Sequence, residues 1–415
     1  MKININVMYL SLIAFMVIFL PSLLMIFFHQ SSFTIGIVIS SLVIILSRAL
    51  LNKKRMALKH SDVTILSLLV FSFLFIIVHF MLINVFYSDD LAQPDFSKFI
   101  LSFFFAIIIA VAAYVVKNSI NDASNFDIHS TIVFLMAVIL LNGVISLSRI
   151  DFFNTGLEKP TFLFQEPSHF ALVCAPFLIY FSFANIRNNL RLGMLLVFGL
   201  WGAYIQNFTM IVAVMLAYII TAKHLLPAFI VFCICAIPVY VFIESDLFIY
   251  YRERLDLSSD TNNLSALVLM QGWENAFLTL RQSPLGAGFQ QYGISTVYGD
   301  ISNKIFAMIN IYINQFDGGA TAPKIIGEFG IFGIIIVATY LIGWLKVFNS
   351  ARRNRFTAGT KSLLFYSLYL ASILEFFIRG AGYFTPGMFF LTVSILYFMS
   401  NNKVPRKEIS YEANH

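Results

Sequence analysis

Apolar residues run along this chain in long stretches broken by short polar segments, with little of the alternation that marks half-buried helices or strands. These runs reach the roughly 18 to 20 residues that a helix needs to cross the hydrocarbon core of a bilayer. Read in order, they predict spans over 6–28, 33–51, 63–86, 97–117, 130–148, 168–186, 190–206, 208–222, 225–243, 324–347, 361–378 and 383–400. The expected fold class is all-α, a polytopic bundle of about 12 transmembrane helices forming a single membrane domain over 1–415. The division at Gln206-Asn207 is the delicate one, because the stretch from Leu190 to Ala222 is too long for one span and short for two.

The one sizeable segment between spans, 244–323, separates the ninth from the tenth and has no low-complexity character. Within it Leu267, Met270, Trp273, Phe277 and Leu280 recur at helical spacing, with Asn262 or Asn263 placed to cap and Ser283-Pro284 to stop. An amphipathic helix over 262–281 is predicted, lying along the membrane face or across the bundle.

Composition agrees: 59% of the 415 residues are hydrophobic and 12% charged, where soluble domains carry roughly a quarter charged residues. The net charge of +6 does not point to nucleic acid, because the basic residues sit in short loops between apolar runs rather than along one polar face. With the N-terminus inside, the cytoplasmic segments hold Arg48, Lys53, Lys54, Arg55 and Lys59, then Arg187 and Arg191, then Lys346, Arg352, Arg353, Arg355 and Lys361, then Lys403, Arg406 and Lys407. Most of the 27 lysines and arginines therefore fall inside, which places both termini in the cytoplasm and segment 244–323 on the outer side. Merging two spans would throw the Arg352 cluster outside. The first apolar run, Val7 to Phe28, shows no small-residue cleavage pattern and reads as an uncleaved helix.

Cys174, Cys233 and Cys235 all lie inside apolar runs and read as small buried hydrophobes, not as metal ligands. No Walker loop and no Asp-x-Asp pair is present, so nucleotide hydrolysis and metal-bound nucleotide sugars have no sequence handle, and no cofactor is expected. The sequence shows no pair of related halves. Gly327, Gly330 and Gly333 open an apolar run and suggest close helix packing.

Candidate chemistry collects at predicted outer helix ends. Glu166-Pro167-Ser168-His169 opens the sixth span, where Glu166 either caps the helix or serves as a base or sugar-orienting group, and His169 is a packed polar residue or a ligand contact. Arg252 and Arg254 follow the ninth span and Arg281 ends the amphipathic helix, just before Ser283-Pro284-Leu285-Gly286-Ala287-Gly288-Phe289. Guanidinium groups on that side suit a diphosphate or lipid headgroups, or ion pairs with Glu253 and Glu274. Glu375 and Arg379 are four residues apart, as are Lys324 and Glu328; both spacings suit ion pairs along a helix, and as charged groups in apolar helices Lys324, Glu375 and Arg379 are equally candidates for substrate binding.

The E-P-S-H-F-A-L opening, the S-P-L-G-A-G-F and G-E-F-G-I-F-G segments and the late R-G-A-G-Y, taken in order, resemble O-antigen polymerases of the Wzy type. The resemblance implies a metal-independent, inverting glycosyltransferase of the bacterial inner membrane, multi-pass and active on the periplasmic side. Its partners would be undecaprenyl-diphosphate-linked glycans as donor and acceptor, membrane lipid, and a separate chain-length regulator. By the same resemblance Arg254 and Arg281 would contact the donor diphosphate, Arg379 would support it, and Glu166 would be the base or acceptor-orienting residue. Two departures are visible: Asn207-Phe208-Thr209-Met210 stands where relatives often carry S-R-T-G, and Gly318 to Pro323 lacks the histidine that O-antigen ligases place there. The latter favours polymerase over ligase. A lipid-linked oligosaccharide flippase is the remaining alternative, set behind by the absence of related halves and by charges that collect at one face.

Overall fold

A computed structural model of the chain describes residues 5–51, 60–86, 92–156, 159–185, 189–224, 249–258 and 260–400. The predicted ninth span at 225–243, with Cys233 and Cys235, lies outside them. Among the described residues every regular element is a helix. In chain order these are α1 (Ile5–Ile18), α2 (Leu20–Phe27), α3 (Thr34–Leu51), α4 (His60–Phe86), α5 (Phe96–Asp122), α6 (Asn125–Ser146), α7 (Pro167–Ala184) and α8 (Leu190–Tyr204). They continue with α9 (Phe208–Thr221), α10 (Ile249–Leu255), α11 (Leu264–Gln282), α12 (Asp300–Ile309), α13 (Thr321–Arg353), α14 (Thr360–Ala371), α15 (Ile373–Phe377) and α16 (Pro386–Ser400). Among the described residues α4, α5, α6, α7 and α13 are long and apolar enough to cross a membrane, and the bent pair α1–α2 makes a sixth.

The first predicted span is not one straight helix. It bends by 41° between α1 and α2, where Pro21 in the first turn of α2 has no amide to continue the ladder. The division near Gln206 is present: Gln206 takes a left-handed φ of 58° and α8 and α9 form a hairpin around it. At 15 and 14 residues both helices are shorter than a full span.

The two ends of the bundle differ in charge and architecture. At one end Arg48 pairs with Asp122 at 2.9 Å, Lys361 donates to the Asn121 carbonyl, and Arg352 and Arg355 donate to carbonyls at the end of α9. At the other end the segment 249–323 covers the helices. There α11 forms as its spacing predicts: the Asn263 side chain accepts from the Ala266 amide at 3.1 Å and the helix stops before Ser283-Pro284. Its buried face packs on the first half of α13, and Gly272 presses against the Gly318 carbonyl on the turn before it. Glu274 does not pair with an arginine but accepts from the Asp300 and Ile301 amides, capping α12.

Close packing of the α13 glycines is observed together with a break the apolar run does not announce. Gly330 has φ 57° and ψ −128°, so α13 is two helical halves. The segment 284–288 docks into the gap: Ala287 and Gly288 amides donate to the Gly327 and Glu328 carbonyls at 2.9 and 2.8 Å, and the Ile331 amide donates to the Pro284 carbonyl at 2.9 Å. Backbone groups released by the break are thus satisfied by protein, the condition for irregular backbone at membrane depth.

Candidate functional site

Glu166 is fixed before any partner reaches it. The buried Asn142 of α6 donates to the Thr161 carbonyl at 3.2 Å and accepts from the Leu163 amide at 3.0 Å, and Ser22 of α2 accepts from the Gln165 amide. Pro167 then starts α7, and Asn207 at the tip of the α8–α9 hairpin donates to its carbonyl. Glu166 occupies the cap position, yet its side chain makes no capping bond. Its Oε2 instead accepts from Ser168 Oγ at 2.9 Å and from Arg379 Nη2 at 3.0 Å, with His169 Nε2 at 3.9 Å.

Arg379 reaches Glu166 because it is not on a helix. The helix α15 ends at Phe377, the Arg379 amide turns back to the Leu374 carbonyl, and the Gly380 amide donates to the Gly319 carbonyl at 2.9 Å. The expected helical pair with Glu375 is therefore absent. Glu375 is buried and accepts from Thr385 Oγ1 at 2.6 Å, with its carboxylate also taking the first amides of α16. It acts as the cap of that helix.

The site's charges are tightly coupled. Burial by itself would raise the Glu166 carboxyl, but His169, Arg379 and the hydrogen bonds from Ser168 and Arg379 outweigh it and hold the group at about 2. Glu166 is ionised at neutral pH while 40% of its side chain stays exposed. Arg254 on α10 lies within the field of both Glu166 and Arg379; burial first and the Arg379 charge second among the lowering influences bring it down to about 10, against the pull of Tyr250 and Glu166. It remains a cation, and its Nη1 is buried without a hydrogen-bond partner among the described residues. A desolvated guanidinium with spare donors, beside a second guanidinium, is suited to an anion.

One layer deeper, Lys324 and Glu328 form the predicted i, i+4 pair at 3.4 Å. Lys324 also donates to the Phe316 carbonyl, and Glu328 Oε1 accepts from the Tyr292 amide at 3.3 Å. The pair is sealed, so Lys324 supports the site without facing it.

Sequence reasoning missed Asp317. This half-buried carboxylate, on the turn before α13, feels Lys324, Arg379, Lys98 and Glu166 at once. Burial raises its proton affinity and Glu166 adds to the rise, while the three cations oppose it. The signal available was an acidic residue directly before Gly318-Gly319 at the start of a helix.

The structure thus brings together Glu166, His169, Arg379 and Arg254, sets Lys324 behind them, and uses Glu375 as a cap. Arg252, two residues from Arg254 on α10, is exposed and joined to no member of the cluster. Arg281 is also exposed. It lies nine residues beyond Gly272, about 13 Å farther along the α11 axis than the point that meets the Gly318 turn.

No family model, no curated protein and no solved structure matches this chain. The class that fold and site define is a helical membrane protein with a guanidinium–carboxylate site at the end of its bundle covered by 249–323.

Proposed function

We propose that this chain polymerises undecaprenyl-diphosphate-linked oligosaccharide repeat units into a surface polysaccharide at the periplasmic face of a bacterial inner membrane, as O-antigen polymerases do. In this reading the bundle has about 12 spans with both termini in the cytoplasm. The observation that carries it is the arrangement at Glu166: an accessible carboxylate–guanidinium pair with the under-neutralised Arg254 beside it, assembled from three distant segments at one end of an apolar bundle.

Arg254 and Arg379 take the donor's diphosphate, and Glu166 fixes the direction of the Arg379 fork. An acceptor hydroxyl attacks the donor sugar's anomeric carbon, and the bond from that carbon to the diphosphate oxygen breaks. Undecaprenyl diphosphate leaves with the bonding electrons, and the two guanidiniums stabilise that charge as it develops. Arg252 and Arg281 have no direct role in this scheme, and the Arg281 contact implied by family resemblance is dropped.

The broken helix α13 is a trait shared with transporters, whose breaks line a binding cavity. Here the break is filled by 284–288, which favours an enzyme scaffold over a flippase. The test is deletion of the gene in its own strain, with the lipopolysaccharide run on a gel. Core carrying a single repeat is expected. Wild-type protein should restore the ladder, and Arg379→Ala at equal protein level should not. Bare core after deletion would overturn the proposal.

A further inference from the structure

The attack needs a group to accept the hydroxyl proton, and the two carboxylates at the site are not equally placed to do so. Glu166 is already engaged: Oε2 takes both Ser168 and Arg379, and the group sits at about 2. A carboxylate that weakly basic is a poor proton acceptor at neutral pH. Its geometry is that of a clamp on Arg379.

Asp317 differs in each respect. Its backbone is fixed on both sides, by its amide to the Asn314 carbonyl at 3.2 Å and by the Gly318-Gly319 turn locked against α11. Its carboxylate lies against Gly382, three residues past Arg379: a Cβ at Gly382 would stand 3.2 Å from Asp317 Oδ1. Among the described residues no hydrogen bond or ion pair engages that carboxylate, although it lies within the field of Lys324, Arg379 and Lys98, each occupied elsewhere. Lys324 is bound to Glu328 and the Phe316 carbonyl, Arg379 to Glu166, and Lys98 stands over the Phe316 ring at 4.3 Å. A half-buried carboxylate that no described residue hydrogen-bonds, held rigidly close to the diphosphate-binding arginine, is where an incoming hydroxyl can be received.

We infer that Asp317 is the general base of the transfer, removing the acceptor hydroxyl proton, while Glu166 serves to position Arg379. This rests on the polymerase reading. As the oxygen–carbon bond forms, the proton moves to an Asp317 carboxylate oxygen and the diphosphate departs with the electron pair of the broken bond. The proton then passes to solvent. The raised proton affinity of Asp317, opposite in sense to that of Glu166, is the division of roles that separates a base from an electrostatic anchor.

The test uses the full chain in lipid nanodiscs with purified lipid-linked repeat units. Asp317→Asn is expected to lower kcat at least about 100-fold while KM for the lipid-linked substrate changes less than about threefold. Asp317→Glu should recover part of the loss. In the wild type, log kcat should fall with unit slope on the acid side, and the residual rate of Asp317→Asn should lack that limb. Wild-type kcat in Asp317→Asn, or an acid limb that survives it, would overturn the inference. If Asn at this position impairs folding, the wild-type profile decides, since a flat acid side would also overturn it. A wild type that makes no polymer sinks the polymerase reading itself, an outcome distinct from either.

Discussion

Two acid–base pairs lie close together in this protein and are built to opposite ends. Lys324 and Glu328 are 2% and 0% exposed, and what surrounds them is protein: the Phe316 carbonyl, the Tyr292 amide, and the rings of Tyr292 and Tyr383 at 5.9 and 5.3 Å from the ammonium. Glu166 and Arg379 meet at 3.0 Å across 213 residues of sequence, with the carboxylate 40% exposed. The first pair has no access for a ligand. The second is held in place but open on one side, with Arg254 and Asp317 within its field. Burial therefore separates a pair that maintains shape from a pair that can exchange partners.

Breaking the sealed pair should have the largest effect on the fold. Lys324→Ala leaves the Glu328 carboxylate buried without its cation, and removing one partner of such a pair destabilises by about 3 to 5 kcal/mol. Thermal unfolding in detergent should show this as a large fall in Tm, with much of it restored when Glu328→Leu is added to Lys324→Met. A Tm for Lys324→Ala within a degree of wild type would erase the distinction between the two pairs. Next in size is Gly330→Ala. Its φ of 57° with ψ −128° is closed to side-chain-bearing residues, and a Cβ there would collide with the Pro284 carbonyl. A loss of roughly 3 kcal/mol is expected, read as protease sensitivity near 284–288, where the docked segment would come away.

The same two pairs show how much of this molecule could be read from its sequence. Lys324 and Glu328 stand four apart inside one uninterrupted helical half, so their contact follows from helix geometry. Glu375 and Arg379 have the same spacing and do not meet, because α15 ends at Phe377 and the chain turns through Arg379-Gly380. The glycines at 380 and 382 were the visible warning. That Arg379 turns to Glu166 instead could not be read, since the contact joins segments 213 residues apart and no local pattern encodes it. Apolar runs gave the helices and Asn263 the start of α11, but hydropathy is blind to the Pro21 bend and to the break at Gly330. Arg281 matched a motif order, yet helix rise carries it about 13 Å beyond the point where α11 meets the Gly318 turn.

A diphosphate should discriminate the pairs in the opposite sense. Undecaprenyl diphosphate at about 100 times its Kd stabilises a folded protein by about 2.7 kcal/mol if it binds only the folded state. That shift in Tm is expected in wild type and in Arg281→Ala, and should be lost in the double variant Arg254→Ala, Arg379→Ala. An equal shift in the double variant would remove the arginines from the anion site, and loss of the shift in Arg281→Ala would return Arg281 to it.

The smallest effect is the one that isolates Glu166. Its folded-state value of about 2 lies below the ordinary 4.5, so the ionised group favours the folded state. That contribution is fully present above about pH 4.5 and is lost as the pH falls through about 2. Because the side chain is 40% exposed, solvent screening limits the contribution to about 1 kcal/mol or less. Glu166→Gln should therefore unfold slightly more easily than wild type at pH 7, and the two curves should converge near pH 2. Polymer synthesis at pH 7 should nevertheless fall steeply in Glu166→Gln, because the Arg379 fork loses its fixed direction while the fold hardly changes. A stability loss as large as that of Lys324→Ala would make Glu166 a second sealed anchor, and full activity in Glu166→Gln would leave Arg379 needing no clamp.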